Sequence, residues 1–247
     1  VMNILNKKNL PVPKVFFSNN KPYVKVKENY YVVSQFRYKK DLKEVSAKTI
    51  EDLATIVSEI HSIPLPEQQA KKNQYQKTKE LIERVEAEKF RVYLQETLRN
   101  CKQVIKGPNI KSVIHGDLIP SNFSVHEDGS IYAMYDFDNV SIGHPMKDLA
   151  EMLIAFFVVD FYENTSKINS FSTDVEVRKA EELVGTYDML VDHPVHKDTL
   201  KDYMVLNWIN FVSLGLIRGD FEDLKIKRLM EIEEYIKNLD FDLWIHR

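Results

Sequence analysis

The spacing of apolar residues changes along the chain from short β-type runs near the amino terminus to helical periodicity over most of the remainder. Residues 1–9 resemble the end of a helix, which the following L-P-V-P segment terminates because proline lacks an N–H donor and constrains the residue before it. Three runs rich in Val, Phe and Tyr follow, at residues 14–17, 23–27 and 30–36, with turn-forming residues between them. This pattern predicts a small antiparallel meander.

Helical periodicity begins at Thr49, a candidate N-cap, and continues to His61, after which prolines end the helix. A charged stretch at residues 71–106 carries apolar residues at helical spacing and predicts one or two amphipathic helices with solvated outer faces. The carboxy-terminal part is predicted to be helical throughout. Its predicted helices span residues 148–161, 175–191, 198–217 and 221–239.

Short strands are predicted again between these helical regions. Residues 113–114 lead into the H-G-D segment, and two short strands at residues 124–125 and 131–135 flank the turn sequence H-E-D-G, which predicts a β-hairpin. The order of elements therefore predicts an α+β fold, with a partial β region at the amino terminus and a large helical part that carries this hairpin.

Composition narrows the classes of protein that the chain can represent. At 247 residues and 44% hydrophobic content it can form one large core or two unequal lobes. A net charge of −3 provides no basic field, so we expect no nucleic-acid partner. The longest apolar run, residues 152–159, is under half of the roughly 20 residues that a bilayer requires, so we expect no membrane partner. With Cys101 as the single cysteine, a reducing cytoplasmic location fits best.

Polar residues suited to phosphoryl transfer surround the predicted hairpin. The sequence H-G-D-L-I-P-S-N occupies residues 115–122, and Y-D-F-D-N-V occupies residues 135–140. Phosphoryl transfer needs a carboxylate that orients and deprotonates the attacking hydroxyl, and oxygen ligands that hold Mg²⁺ on the phosphates. Asp117, Asn122 and Asp136 supply such groups, although Asp and Asn are also common turn residues.

These motifs resemble the aminoglycoside phosphotransferase and choline kinase superfamily, whose members share the two-lobed protein-kinase fold. The resemblance implies that Asp117 is the catalytic base, that Asn122 is a metal ligand, and that Asp136 is the metal-binding aspartate. The segment G-H-P-M-K-D-L-A is similar to the family's Gly-Asp-Pro…Asp-Leu-Ala sequence, in which Asp148 would begin a helix and brace the catalytic loop. His144 replaces the usual acidic residue there.

The resemblance also implies a division into lobes. Residues 1–36 would be the remnant of an amino-terminal lobe that ends in the hinge strand, and residues 37–247 would form the helical catalytic lobe. On the hinge strand, Tyr31, Val33 and Gln35 would contact the nucleotide. The implied cofactors are Mg²⁺ and ATP or GTP, and the implied acceptor is a small hydroxyl compound such as an aminoglycoside, choline or a related alcohol.

Several residues have two plausible roles. Asp138 would either bind the metal or only hydrogen-bond the loop, and His115 is expected to pack and hydrogen-bond within the loop scaffold. Four aromatic residues of the carboxy-terminal region would line an acceptor pocket or, as we expect, belong to the core. These residues are Tyr203, Trp208, Phe211 and Trp244.

The amino-terminal region lacks features that the family uses for nucleotide binding. Its phosphate-covering loop and lysine precede the Pro-rich segment, whereas this chain has about nine residues there and no glycine before Gly107. We therefore expect weak nucleotide binding by this chain. Two hypotheses follow: a kinase of a small hydroxyl compound, or a non-catalytic binding or scaffold protein on the same fold.

Overall fold

The structure, a computed structural model, describes residues 1–36, 38–65, 74–102, 104, 110–158, 177–220 and 226–239. Its helices are α1 (Met2–Lys7), α2 (Ala47–His61), α3 (Gln74–Ile82), α4 (Glu88–Asn100), α5 (Met146–Leu153), α6 (Val177–Leu190), α7 (Lys197–Arg218) and α8 (Ile226–Asn238). Its strands are β1 (Val24–Val26), β2 (Asn29–Tyr31), β3 (Lys40–Asp41), β4 (Ser112–Ile114), β5 (Phe123–Val125), β6 (Ile131–Met134) and β7 (Ser141–Gly143). The predicted α+β class is confirmed.

The amino-terminal meander is smaller than predicted. Strands β1 and β2 pair antiparallel, whereas residues 14–17 contribute only an isolated bridge between Val15 and Ser34. The peptide N–H of Met134 donates to the carbonyl of Pro11 at 2.8 Å, which attaches this region to the central hairpin.

Helix α2 begins earlier than the sequence pattern indicated. Ser46, and not Thr49, is its N-cap, and the two residues form a capping box in which the N–H of Thr49 donates to Ser46 Oγ at 3.1 Å. Thr49 Oγ1 also donates to the carbonyl of Gly129 at 2.8 Å. The sequence pattern placed the N-cap at Thr49 because this residue directly precedes the apolar stripe. The hydrogen bond of Thr49 to Gly129 joins distant parts of the chain, so no local pattern indicated it.

Two small sheets enclose the motif residues. Strands β5 and β6 form the predicted hairpin, which β3 extends on the β5 side. Strand β4 pairs antiparallel with β7, so the segments 115–122 and 135–140 both lie between the ends of these sheets. The pattern did not predict β3 or β7, because strands of two or three residues are too short to show a period.

The helices provide most of the core. Helix α5 packs against α7, and α2 packs against α6. Tyr203 and Trp208 are buried in this core, as expected, whereas Trp244 lies outside the described residues. The helix predicted to begin at residue 148 starts at Met146 and continues as one π-helical segment, Ile154–Val158. Among the described residues, no helix is long and apolar enough to cross a membrane.

Candidate active site

Asp117 lies in the loop that follows β4, with its side chain partly exposed. The side-chain amide of Asn122 donates to the main-chain carbonyl of Asp117 at 2.9 Å, and Asn139 Nδ2 approaches Asp117 Oδ2 at 3.5 Å. The fold therefore brings Asn122 and Asn139 to the predicted base. Asn139 was not singled out by sequence reasoning, because nothing local distinguishes it from a turn residue.

Asp148, in the first turn of α5, hydrogen-bonds the backbone of the loop that carries Asp117 from the buried side. Its carboxylate is completely buried and accepts from the N–H groups of His115 at 2.7 Å and Gly116 at 2.9 Å. Burial alone would raise the pKa of Asp148, but the hydrogen bond and charge of His61, together with Lys147, outweigh it and keep that pKa below its usual value. A buried carboxylate with these partners is a stable acceptor for the loop amides.

A chain of two buried hydrogen bonds, which we call the buried relay, connects Asp148 through His61 to Tyr187 in the carboxy-terminal helices. His61 Nε2 lies 3.1 Å from Asp148 Oδ2, and His61 Nδ1 lies 2.6 Å from the hydroxyl of Tyr187. Because a carboxylate only accepts, Nε2 is the donor to Asp148, and Nδ1 forms the second hydrogen bond, with the Tyr187 hydroxyl. Tyr187 was missed because 126 residues separate it from His61.

His115 has the scaffold role that we predicted. Its ring is buried, donates from Nε2 to the carbonyl of Tyr135 at 3.0 Å, and packs edge-on against Phe137. Burial lowers the pKa of His115. The ring therefore connects the loop that carries Asp117 to the segment that carries Asp136.

The turn after β6 presents the two remaining predicted carboxylates. Asp136 is exposed in the left-handed region, with φ 55° and ψ 67°, and its Oδ1 accepts from the N–H of Asp138 at 3.4 Å. Asp138 is also exposed. The N–H of Tyr135 donates to the carbonyl of Asn122 at 2.8 Å, which places Asp136 one residue from the Asn122 contact.

The oxygen donors of this site fit a hard divalent cation. The amide nitrogen of Asn122 is used on the Asp117 carbonyl, so its side-chain oxygen is the atom that could face a cation, and Asp136 and Asp138 add exposed carboxylates. Within the described ranges, no three His, Cys, Asp or Glu side chains form a metal cage. Phosphate oxygens are the natural source of the missing ligands, since Mg²⁺ is commonly bound together with substrate phosphates.

Tyr31, Val33 and Gln35, the residues predicted to contact the nucleotide from the hinge strand, are exposed. Some of their backbone groups form hydrogen bonds with residues 14–16. Tyr31 and Val33 have 50% and 55% of their surface accessible. The carbonyl of Val33 accepts from the N–H of Phe16 at 2.8 Å, and the N–H of Gln35 donates to the carbonyl of Lys14 at 2.7 Å. Since backbone groups alternate in direction along an extended chain, the N–H and C=O of Ser34 point to the opposite side.

Comparison with known families now identifies the chain. The profile described as the phosphotransferase enzyme family matches residues 1–167, and the chain belongs to that family. No curated protein sequence matches it significantly. The described structure has the kinase-like α+β architecture of aminoglycoside phosphotransferases and choline kinases, which confirms the family resemblance.

Solved structures agree with this assignment at the level of the fold. A spectinomycin phosphotransferase with bound ADP and spectinomycin is 13% identical, with a TM-score of 0.62 over 95% of this chain and 75% of that one. A choline kinase from Streptococcus pneumoniae is 18% identical, with a TM-score of 0.62 and coverages of 96% and 78%. An amicoumacin kinase with AMP-PNP and Ca²⁺ is 13% identical, with a TM-score of 0.64 and coverages of 96% and 74%.

Proposed function

We propose that this protein is a kinase that transfers the terminal phosphate of ATP or GTP to a hydroxyl of a small molecule such as an aminoglycoside, choline or a related alcohol. The observation that carries the proposal is the position of Asp117, beside Asn122 and on a loop whose N–H groups are held by buried Asp148. Family membership and neighbours crystallised with nucleotides support the same reaction class.

In the proposed reaction, Asp117 acts on the acceptor hydroxyl. The hydroxyl oxygen attacks the terminal phosphorus while the bond to the bridging β,γ-oxygen breaks, and the hydroxyl proton passes to a carboxylate oxygen of Asp117. Asn122, Asp136 and Asp138 are the proposed metal ligands. Bound Mg²⁺ supplies charge neutralisation at the phosphate oxygens.

The nucleotide base is proposed to contact the hinge strand, between an amino-terminal part at residues 1–36 and the catalytic lobe at residues 37–247. Tyr31 and Val33 offer exposed apolar surface for the base. Because the N–H of Gln35 is bonded to Lys14, we assign the main-chain hydrogen bonds to Ser34 rather than to Gln35. Contacts from Gln35 are then restricted to its side chain.

We also propose a cytoplasmic location, where ATP and GTP are present. Cys101 is buried, and burial raises the pKa of its thiol to about 12, so the residue is unreactive as well as unpaired with a second cysteine. This chemistry suits a reducing compartment, in which a free thiol needs no disulfide partner.

Phosphate transfer can be tested directly. The protein is incubated with Mg²⁺ and either ATP or GTP, with aminoglycosides, choline, homoserine and simple sugars as separate acceptors, and the phosphorylated product is identified by mass spectrometry. Asp117→Asn should lower turnover by about 10²–10⁴-fold, because a positioned general base typically contributes that much. The exposed Asp198, in the first turn of α7, provides a matched control as Asp198→Asn.

The same experiment distinguishes the second hypothesis. Product with at least one acceptor, lost in Asp117→Asn and retained in Asp198→Asn, supports the kinase. Absence of product with every acceptor, together with no measurable nucleotide binding by calorimetry, would favour a non-catalytic binding or scaffold protein. Equal turnover in the wild-type protein and Asp117→Asn would contradict the role of Asp117 as the base.

A further inference from the structure

Two peptide groups flank Asp117, and both are bonded to side chains. In the peptide after Asp117, the carbonyl accepts from Asn122 Nδ2 at 2.9 Å and the N–H of Leu118 donates to Glu151 Oε2 at 3.1 Å. In the peptide before Asp117, the carbonyl of Gly116 accepts from Lys147 Nζ at 3.1 Å. Lys147 and Glu151 therefore act on opposite sides of the same residue.

Lys147 and Glu151 lie one turn apart on α5, with their charged atoms 3.5 Å apart. An exposed pair of this spacing contributes little to stability. Here the side chains are only 10% and 19% accessible, and each charged group also bonds the loop backbone. Charge-assisted hydrogen bonds of this kind are stronger than neutral ones.

The pair is itself anchored. Asn207, on α7, donates from Nδ2 to the carbonyl of Lys147 at 2.9 Å, so the first turn of α5 is tied to a core helix. Leu118 is completely buried, so loss of Glu151 would leave its N–H without an acceptor and would destabilise the loop locally. The backbone around Asp117 thus has a rigid support on the side away from solvent.

We propose that Lys147 and Glu151 are a positioning pair that sets the direction of the Asp117 carboxylate. The two peptide planes define φ and ψ of Asp117, and these angles determine where its side chain points. A misplacement of about 1 Å can cost about 10²-fold in rate, so the pair matters most for turnover. The kinetic consequence rests on the proposed phosphotransferase function, whereas the geometric one does not.

Amide hydrogen exchange tests the geometry without any substrate. Glu151→Leu removes the acceptor of the Leu118 N–H and should accelerate exchange at Leu118 at least about 10-fold. Gly116 donates to Asp148, and its exchange should change little. Glu151→Gln keeps an acceptor oxygen and should retain protection at Leu118. Unchanged exchange at Leu118 in a folded Glu151→Leu protein would overturn the proposal.

Kinetics test the consequence, with Glu231→Leu as the matched control because Glu231 is an exposed member of an ion pair on α8. Glu151→Leu should lower kcat about 10- to 100-fold while KM for nucleotide stays within about threefold, and Glu151→Gln should stay within about threefold of wild type. If Glu151→Leu does not fold, Lys147→Met keeps Glu151 but removes the donor to the Gly116 carbonyl and the cation paired with Glu151, and it should lower kcat about 10-fold. A kcat of Glu151→Leu, or of Lys147→Met where that variant is used, equal to that of the Glu231→Leu control would overturn the pair's role.

Failure of the proposed function is distinguishable from failure of this inference. If the wild-type protein transfers no phosphate to any acceptor, the phosphotransferase proposal fails. The exchange comparison at Leu118 still decides whether Glu151 holds the peptide that follows Asp117. Loss of protection in Glu151→Leu with retention in Glu151→Gln would support the positioning pair in that case also.

Discussion

The loop at residues 115–118 and the turn at residues 136–139 meet at the candidate site, but they are held differently. Side chains of α5 hydrogen-bond four backbone groups of the loop. These groups are the N–H groups of residues 115, 116 and 118 and the carbonyl of residue 116. The turn presents exposed carboxylates, and Asp136 bonds only its own backbone among the contacts described above. The two are in close contact, since a Cβ on Gly116 would lie 2.8 Å from the Asn139 carbonyl oxygen.

This difference matches the proposed division of chemical labour. A base that accepts a proton from the acceptor hydroxyl must be fixed in direction, because misplacement is costly in rate. Ligands of Mg²⁺ must rearrange as nucleotide enters and leaves, because the ion keeps several waters or phosphate oxygens among its ligands. A buried support for the base and an exposed turn for the ligands satisfy both requirements.

A large loss of turnover is expected on the exposed turn. Asp136→Asn retains the left-handed conformation, which Asn tolerates, but removes the carboxylate charge. Turnover should fall by about 10²–10³-fold, since a bound metal supplies several kcal/mol, while the melting temperature changes by little. Asp138→Asn measured in parallel should lose less if Asp138 only hydrogen-bonds the loop. A full-activity Asp136→Asn protein would argue against metal binding by this turn.

The buried support should instead show its effect on stability. Asp148→Asn leaves the N–H groups of His115 and Gly116 competing for one acceptor oxygen and removes the charge that faces His61. A hydrogen bond to a charged group contributes about 1.5–3 kcal/mol, and Asp148 accepts three, so the free energy of unfolding should fall by about 3 kcal/mol or more, which denaturant unfolding would measure. Asp138→Asn is the matched exposed control and should stay within about 0.5 kcal/mol. Similar losses in both variants would contradict the contrast between the two regions.

The far end of the buried relay should have a smaller effect. Tyr187→Phe removes the hydroxyl that hydrogen-bonds His61 Nδ1, and a buried polar atom left unsatisfied costs about 1–3 kcal/mol of unfolding free energy. Tyr30→Phe, on exposed β2, should cost less than about 0.5 kcal/mol. If the two phenylalanine variants are equally stable, the hydroxyl of Tyr187 contributes nothing to the relay.

The smallest expected effect is a pH dependence from His115. Its folded pKa lies below the ordinary value of 6.5, so the unfolded chain binds a proton first as the pH falls through 6.5. Stability is then lost below that pH, by at most about 1.4 kcal/mol at one unit below. His115→Gln, which keeps a donor for the Tyr135 carbonyl, should lose less between pH 7.5 and 5.5. If the free energy of unfolding changes equally with pH in the wild-type protein and in His115→Gln, His115 is not the source of the pH dependence.

Much of the fold was predictable because its signals are local. Helical periodicity located α2 and α7 within about two residues at each end, and the hairpin was marked by the turn around Gly129. Strand β7 was missed, since three residues between two turns show no period. Likewise, the N-cap of α2 depends on the side-chain geometry of Ser46, which an apolar stripe does not report.

The sequence by itself determined the α+β class, the family, and the oxygen chemistry of Asp117, Asn122 and Asp136 as a prediction, because spacing and residue type within short segments carry that information. Only the tertiary structure decided what holds the loop. The contact of Tyr187 with His61 joins residues that are 126 positions apart in the sequence, and the contact of Glu151 with Leu118 joins residues that are 33 positions apart. Such contacts form when buried polar groups find partners on folding, and a single sequence has no periodic signal for them.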